Sequence, residues 1–129
     1  MLRLNRKQIL LEFWQDVANQ NANNLQSYFL SNATIKWHNT NEQFSVEEYI
    51  RANCEYQGDW CGEVERIELV GNLGITATRV WLLDNSASFH ATSFFEFVDD
   101  KIISLNEYWG DDGVAPKWRL DKEIGKPIK

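Results

Sequence analysis

Residues 87–112 read ASFHATSFFEFVDDKIISLNEYWGDD, and this stretch decides which fold the sequence predicts. Its two halves, 87–98 and 101–109, alternate between apolar and polar residues and therefore predict two strands. The turn VDDK joins them. Two further alternating runs precede the stretch, at 64–69 and 75–83. Because no helix separates these runs, they predict four consecutive strands of an antiparallel sheet.

The last predicted strand places a carboxylate on its apolar face. Side chains alternate along a strand, so Leu105, Glu107 and Trp109 point to the same side. Leu and Trp mark that side as the interior. A buried carboxylate is usually paired with hydrogen-bond donors, but burial also raises its pKa toward the range used in acid–base catalysis. Both interpretations of Glu107, a structural one and a functional one, remain open at this point.

The first half of the chain predicts three helices and one strand. An amphipathic helix is predicted over 8–18 with Asn5 as its N-cap, and a short helix over 25–30 follows. A strand is predicted over 33–37, and residues 38–44 read as a loop.

The third predicted helix begins with a signature that can be read directly from the sequence. Ser45 and Glu48 form a capping box that opens it near Val46. One face of this helix carries four residues in a row at helical spacing: Tyr49, Asn53, Tyr56 and Trp60.

Helices followed by a run of strands predict an α+β fold, with the helices on one face of a curved sheet. We expect a single domain over residues 1–129, with a core at about 6–112. The remaining tail, 113–129, reads as a loop that lays Trp118 on the body of the domain. A sheet folded around helices leaves a mouth where a pocket can form.

Charge and composition exclude several classes of function. The net charge is −6, and residues 8–116 carry 5 basic against 17 acidic residues. Such a body repels phosphate backbones, so nucleic-acid binding is not expected. No run reaches transmembrane length and no signal peptide is evident, so we expect a cytoplasmic protein without membrane partners. The high aromatic content, 13% with six Trp, suits either a Trp-rich core or a pocket.

Metal binding and disulfide formation are not expected from the sequence. Cys54 and Cys61 are the only two cysteines, and no His lies near them in sequence. A metal site assembled from His38, Glu107 and Asp111 is conceivable, but nothing in their spacing demands one. We therefore expect no cofactor.

Three segments together resemble a known superfamily. They are ATIKWHNTNEQFSVEEYI at 33–50, EYQGDW at 55–60, and the stretch 87–112 quoted above. In order and spacing they resemble the NTF2-like superfamily, in particular its SnoaL-like and ketosteroid-isomerase-like branches. The resemblance implies a cone-shaped, cystatin-like α+β barrel, often dimeric, with a pocket inside the cone.

The resemblance does not carry the catalytic residues of either branch with it. Matched to ketosteroid isomerases, the positions of the base, the oxyanion donor and the protonated acid hold Trp37, Phe13 and Ser93. Steroid isomerisation by that mechanism is therefore not expected. The SnoaL-like cyclases place an Asp and a His in the pocket. Here His90 has the opposite strand parity to Ser93 and should point away from the cone.

Strand parity and the resemblance together select the candidate site residues. Glu107 and Ser93 are the candidate catalytic residues. The candidate ligand-binding residues are Trp37, Asn53, Tyr56, Trp60, Thr78, Phe95 and Trp109. Asn53 has a structural alternative, capping a strand inside the core. His38 is expected at the mouth or on the surface, and Asp111 and Asp112 as turn formers, with Asp111 within reach of the rim.

These residues leave three functional hypotheses open. The first is a cofactor-independent isomerase, cyclase or dehydratase that uses Glu107 as its acid–base group. The second is a non-catalytic module that binds a small hydrophobic or aromatic molecule, and the third is a protein-interaction module with a filled cone. The outer sheet face carries three aromatic residues among polar ones, which predicts a homodimer through that face. Its members are Arg79, Trp81, His90, Thr92, Phe94, Glu96 and Tyr108.

Overall fold

The strands of the protein form one curved sheet, and its first three helices pack against the sheet or against one another. The computed structural model describes residues 5–129; residues 1–4, and with them part of the basic N-terminal segment, lie outside the description. In chain order the elements are α1 (Arg6–Ala18), α2 (Ala22–Ser27), β1 (Phe29–Trp37), β2 (Glu42–Phe44), α3 (Val46–Cys54), β3 (Trp60–Val70), β4 (Leu73–Leu82), β5 (Ser88–Val98), β6 (Lys101–Asp111) and α4 (Lys117–Asp121).

The sheet has six strands in the order β2-β1-β6-β5-β4-β3. The predicted antiparallel pairing of the last four strands is confirmed. The structure adds a parallel pairing between β1 and β6, which brings the strand that ends at Trp37 beside the last strand. The sheet stays open, with β2 and β3 as its edges. The predicted α+β class is confirmed.

Irregular pairing accompanies the curvature of the sheet. The register of β3 against β4 shifts between Val64 and Arg66, and that of β5 against β6 shifts between Glu96 and Phe97. An extra residue in one strand bends it and increases its twist. The long strands can therefore wrap around α1 and form one wall of a cone.

Both predicted helix starts are present. The side chain of Asn5 accepts a hydrogen bond from the backbone N–H of Gln8 at 2.8 Å and caps α1. Ser45 and Glu48 form the complete capping box of α3. A cap of this kind stabilises a helix by about 1 kcal/mol. The buried face of α1, which includes Leu10, Phe13 and Trp14, packs against the sheet.

Phe13 lies at the centre of an aromatic core. Its ring centroid is 5.1 to 6.4 Å from those of five other rings. The partners are Trp14, Tyr28, Phe29, Tyr49 and Phe95. The narrow end of the cone is therefore filled with side chains, and any open space must lie toward its mouth.

Four predicted elements differ from the structure. The short second helix lies at 22–27, because Phe29 already belongs to β1. The predicted loop at 38–44 ends in the short edge strand β2. The tail forms α4, and the prediction that Trp118 lies on the body is wrong, since its side chain is 58% exposed.

The fourth difference concerns the four residues predicted to lie along one face of the third helix, from Tyr49 to Trp60. Helix α3 ends at Cys54, so Trp60 is the first residue of β3 and not a helical neighbour of Tyr49. The chain then passes so close to β4 that a Cβ on Gly58 would lie 2.6 Å from the side chain of Leu82. An alanine at position 58 would therefore require the partly buried side chain of Leu82 to shift.

Within residues 5–129, no helix is both long enough and apolar enough to cross a membrane.

Candidate functional site

A row of four side chains crosses the inner face of the sheet. Trp37, Glu107, Ser93 and Thr76 are paired in register across β1, β6, β5 and β4. Directly opposite residues on one face of a sheet have neighbouring side chains. The row therefore brings polar groups from four strands together inside the cone.

Glu107 is the centre of this row and has no exposed surface. Its Oε2 accepts a hydrogen bond from Ser93 Oγ at 2.6 Å. Its Oε1 accepts one from Trp37 Nε1 at 3.0 Å. Both carboxyl oxygens thus have a donor, as expected for a buried carboxylate. The structural part of the sequence interpretation is confirmed: Glu107 is paired with protein groups.

Burial nevertheless raises the pKa of the Glu107 carboxyl group strongly. Loss of solvation raises its pKa from 4.5 to about 7, while hydrogen bonds from Ser93 and Trp37 act in the opposite direction. The indole N–H of Trp109 faces the same carboxyl and also favours its charged form, although it makes no hydrogen bond of normal geometry. A carboxyl group with such a pKa can both release and take up a proton near neutral pH.

The phenol of Tyr49 lies in the same buried region. Burial and the nearby charge of Glu107 raise the pKa of Tyr49 well above its usual value, so this side chain is a neutral phenol. Its hydroxyl has no hydrogen-bond partner among the described residues.

A cavity of about 290 Å³ opens at the mouth of the cone. Five aromatic residues belong to its wall: Trp37, Tyr56, Trp60, Phe89 and Trp109. The remaining lining residues are Val17, Gln20, Asn39, Thr40, Glu42, Ala52, Asn53, Val80 and Asp111. A mainly apolar cavity with a few polar groups is typical of sites for small molecules.

Glu107 lies behind this wall and is not part of it. The indole rings of Trp37 and Trp109 line the cavity, and their centroids are 6.2 Å apart. The indole N–H of each faces Glu107. The two tryptophans therefore connect the cavity to the buried carboxyl group without exposing it.

The structure brings five of the seven candidate ligand-binding residues together around the cavity. They are Trp37, Asn53, Tyr56, Trp60 and Trp109. The structural alternative for Asn53, a strand cap, is not what its side chain makes: it donates to the backbone oxygen of Tyr49, one turn earlier in the same helix, at 2.8 Å.

Thr78 and Phe95 point inward as parity predicted, but they do not line the cavity. Both are completely buried, and Phe95 packs against Phe13. The sequence predicted that these two residues line the cavity, but their side chains lie deeper in the cone. Helix α1 fills the part of the cone that they face. Ser93 is also completely buried and reaches Glu107, not the cavity.

Four polar lining residues were missed by sequence reasoning, namely Gln20, Asn39, Thr40 and Glu42, and two of them show the reason. Gln20 ends α1 in a left-handed conformation, with φ of 53°, and donates to the backbone oxygens of Asn53 and Tyr56. Glu42 opens β2, in a segment that read as a loop, and is paired with Trp37. No local pattern marks either residue, because both reach the cavity through long-range pairing.

His90 points away from the cone, as predicted, and lies in a polar cluster on the outer face. Its Nδ1 contacts Asp112, and its Nε2 lies 3.2 Å from Glu65. The hydrogen bond with Asp112 raises the pKa of His90 above its usual value. Although burial opposes the effect, hydrogen bonds from Ser88 and His90 lower the pKa of Asp112.

The residues considered for a metal site are not close together. His38 stacks on Tyr108 and contacts Asn106, whereas Glu107 is buried inside the cone. Across residues 5–129 no group of three or more His, Cys, Asp or Glu side chains is arranged to hold a metal ion.

Comparison with solved structures identifies the fold. The chain is similar to a candidate ketosteroid isomerase from Kribbella flavida, at 17% identity over 96% of this chain and 90% of that chain, with a TM-score of 0.77. It is also similar to an NTF2-like protein of unknown function from Burkholderia xenovorans, at 22% identity over 96% and 95%, with a TM-score of 0.76. A third similar structure is an epoxide hydrolase/cyclase-like enzyme with a role in pyran ring formation in salinomycin, at 19% identity over 81% and 90%, with a TM-score of 0.68.

The chain has the NTF2-like fold, in the form that ketosteroid-isomerase-like and SnoaL-like proteins share. The resemblance seen in the sequence is therefore confirmed at the level of the fold. No protein-family model matches the chain, and no curated protein matches it by sequence. Since this fold hosts many functions, the activity must be argued from the site itself.

Proposed function

We propose that this protein binds a small, mainly apolar molecule in the cavity at the mouth of the cone. The observation that carries the proposal is the aromatic wall around about 290 Å³ of open space. Aromatic rings offer large apolar area at little cost in side-chain entropy, and they favour flat or cyclic ligands. The open cavity argues against the interaction module, which calls for a filled cone.

Intrinsic fluorescence tests this proposal directly, because three of the six Trp residues line the cavity. A panel of small cyclic and aromatic compounds is titrated into the protein, and saturable quenching or a blue shift is expected. The variant Trp60→Leu shortens the wall and should weaken binding about tenfold. The control is Trp118→Leu, since that side chain is exposed on α4. Equal effects of the two variants would refute binding in this cavity.

A second candidate function is acid–base catalysis through Glu107, as in an isomerase, cyclase or dehydratase. The observation in its favour is the pKa of about 7 for a carboxyl that lies directly behind two cavity tryptophans. In this reaction scheme Glu107 moves the proton, and Ser93 holds the carboxyl in place through its 2.6 Å hydrogen bond. Structures of this fold include an epoxide hydrolase/cyclase-like enzyme, so the fold can support chemistry of this class.

Substitution separates the two functions. Once a ligand is identified, Glu107→Gln should leave its affinity within about threefold if the protein only binds, because the carboxyl does not line the cavity. If the protein is an enzyme, the same variant should lower kcat by at least about a hundredfold, the usual contribution of a general acid or base. Full turnover by Glu107→Gln would rule out catalysis by this group.

We also propose that the outer sheet face forms a homodimer. Tyr108 is half exposed there, and the Arg79 guanidinium lies over the ring of the partly buried Trp81, 4.3 Å from its centroid. Light scattering at micromolar concentration should give twice the mass of 15.1 kDa. The variant Tyr108→Lys should shift the protein to monomers, and a wild-type protein that is already monomeric would refute this proposal. A cytoplasmic location likewise stays a prediction.

A further inference from the structure

The charged groups that line the cavity all have the same sign. They are the carboxylates of Glu42 and Asp111, and no Lys, Arg or His of residues 5–129 belongs to the lining. Glu42 comes from β2 and Asp111 from β6, the two strands on either side of β1. Both side chains are exposed at the mouth, where a ligand must pass. A neutral ligand would gain no charge attraction from this arrangement, and an anionic one would be repelled.

The aromatic residues form a continuous wall beneath these carboxylates. Neighbouring ring centroids lie 5.2 Å apart for Tyr56 and Trp60, and 6.0 Å apart for Trp60 and Phe89. They are 6.2 Å apart both for Phe89 and Trp109 and for Trp109 and Trp37. The five rings thus follow one another around the cavity. A cation within about 6 Å of a ring centroid is attracted by the negative face of the ring, most strongly for Trp.

From these two observations we infer that the ligand of this cavity is an organic cation, a substituted ammonium group on an apolar body. The inference rests on the proposed function, because it names the ligand class of the same site. Five neighbouring rings line the space for one weakly hydrated positive charge, and the carboxylates at the mouth supply long-range attraction. A third carboxyl group, that of Glu107, lies behind Trp37 and Trp109.

The wall also selects among cations. A metal ion needs several oxygen or nitrogen ligands at short distance, and no such group of His, Cys, Asp or Glu side chains occurs within residues 5–129. A bare primary ammonium ion is strongly hydrated and loses that hydration against apolar rings. Methylated or ring-bound ammonium groups carry their charge over an apolar surface, so they suit the wall better.

A pair of probes of equal shape tests the charge alone. They are para-(trimethylammonio)benzyl alcohol and its uncharged carbon isostere, para-tert-butylbenzyl alcohol. Tryptophan fluorescence and calorimetry on the full chain give both affinities at low salt. We expect the cation to bind at least about tenfold more tightly than the isostere, as for cation–π contacts in a partly desolvated site. Raising the salt concentration should reduce this ratio, since the two carboxylates at the mouth are exposed.

Variants test whether the two carboxylates at the mouth cause the preference for the cation. Glu42→Gln with Asp111→Asn should lower the ratio of the two affinities at least threefold and leave the isostere unchanged. The control pair, Glu12→Gln with Glu96→Gln, removes the same charge from exposed positions outside the cavity and should leave the ratio unchanged. Equal reductions by both pairs would mean that net charge alone attracts the cation, which overturns the inference.

The outcomes also separate the inference from the proposed function. If the isostere binds as tightly as the cation and Trp60→Leu weakens both, the cavity binds small molecules and the cationic ligand class is wrong. If neither probe nor any member of the compound panel binds, the proposed function fails and the inference fails with it. Tighter binding of the cation that is lost in Trp60→Leu, but kept in Trp118→Leu, supports both.

Discussion

Ser93 Oγ donates a hydrogen bond of 2.6 Å to Oε2 of Glu107, and both side chains are completely buried. The two residues are directly paired across β5 and β6. The carboxyl group and its hydroxyl donor therefore lie side by side inside the cone, behind the cavity wall.

The pKa of Glu107 predicts how stability depends on pH. Burial raises this pKa from 4.5 to about 7, so between these values the folded protein keeps a proton that the unfolded chain has lost. Stability must then fall as the pH rises through this window, by about 3 kcal/mol in total. Other carboxylates also make the free energy of unfolding depend on pH. The contribution of Glu107 is therefore the difference between wild type and Glu107→Gln.

Urea unfolding at pH 5 and pH 8 measures that difference. Wild type should lose about 2.5 kcal/mol relative to Glu107→Gln between the two pH values, because glutamine carries no charge to bury and part of the effect already lies below pH 5. Glu12→Gln, on the exposed face of α1, serves as the control and should behave as wild type. Parallel pH profiles for wild type and Glu107→Gln would contradict a buried, titrating carboxyl.

Removing the serine hydroxyl should destabilise the charged form of Glu107. Ser93→Ala leaves Oε2 without its 2.6 Å donor, which costs about 2 kcal/mol at pH 8 and less at pH 5, where the carboxyl is protonated. The carboxyl carbon shift in NMR should report a higher pKa for Glu107 in this variant. Thr92→Ala, the exposed neighbour on the same strand, is the control, and an equal loss there would show a general strand effect.

Two glycines in the sheet should respond in opposite ways to alanine. A Cβ on Gly74 would lie 2.9 Å from Leu10 and 3.3 Å from Phe97, both buried in the core, so Gly74→Ala should cost about 1–3 kcal/mol. A Cβ on Gly110 meets nothing within 4 Å. Gly110→Ala should therefore leave stability unchanged or raise it slightly. Thermal unfolding of the two variants checks this, and equal melting temperatures would be inconsistent with the packing of α1 against β4.

His90 should titrate above its ordinary range. Its hydrogen bond with Asp112 raises the pKa, with a further contribution from Glu65. The stabilisation is present below the unfolded pKa of about 6.5 and is lost as the pH rises through the higher folded value. Imidazole proton shifts in NMR should move to a lower pKa in Asp112→Asn and less so in Glu65→Gln. An unchanged titration in Asp112→Asn would mean that this contact is absent in solution.

Strand parity was sufficient to decide which side chains point inward. It correctly placed Glu107, Ser93, Thr78 and Phe95 inside, and His90 outside. Parity follows from the local geometry of an extended chain, so it needs no knowledge of partners. For the same reason the N-cap of α1 and the capping box of α3 could be predicted from single short segments.

Parity did not decide which inward residues reach open space. Thr78 and Phe95 lie under α1, whereas Phe89, on the same face as Phe95, lines the cavity. The difference depends on how far the helices extend over the sheet. The prediction that Tyr49 and Trp60 share one helix face was wrong for a related reason. Helix α3 ends at Cys54, and Trp60 reaches the cavity from a strand.

By itself, the sequence determined the order of the elements, the inner face of each long strand and the burial of a carboxyl group at Glu107. Only the tertiary structure decided what that carboxyl meets. The parallel pairing of β1 with β6 brings Trp37 against Glu107 across 70 positions of sequence and places the same indole on the cavity wall. Periodicity reports only the local conformation of the chain, whereas the site is made by pairings between distant segments, whose register depends on how the whole sheet packs.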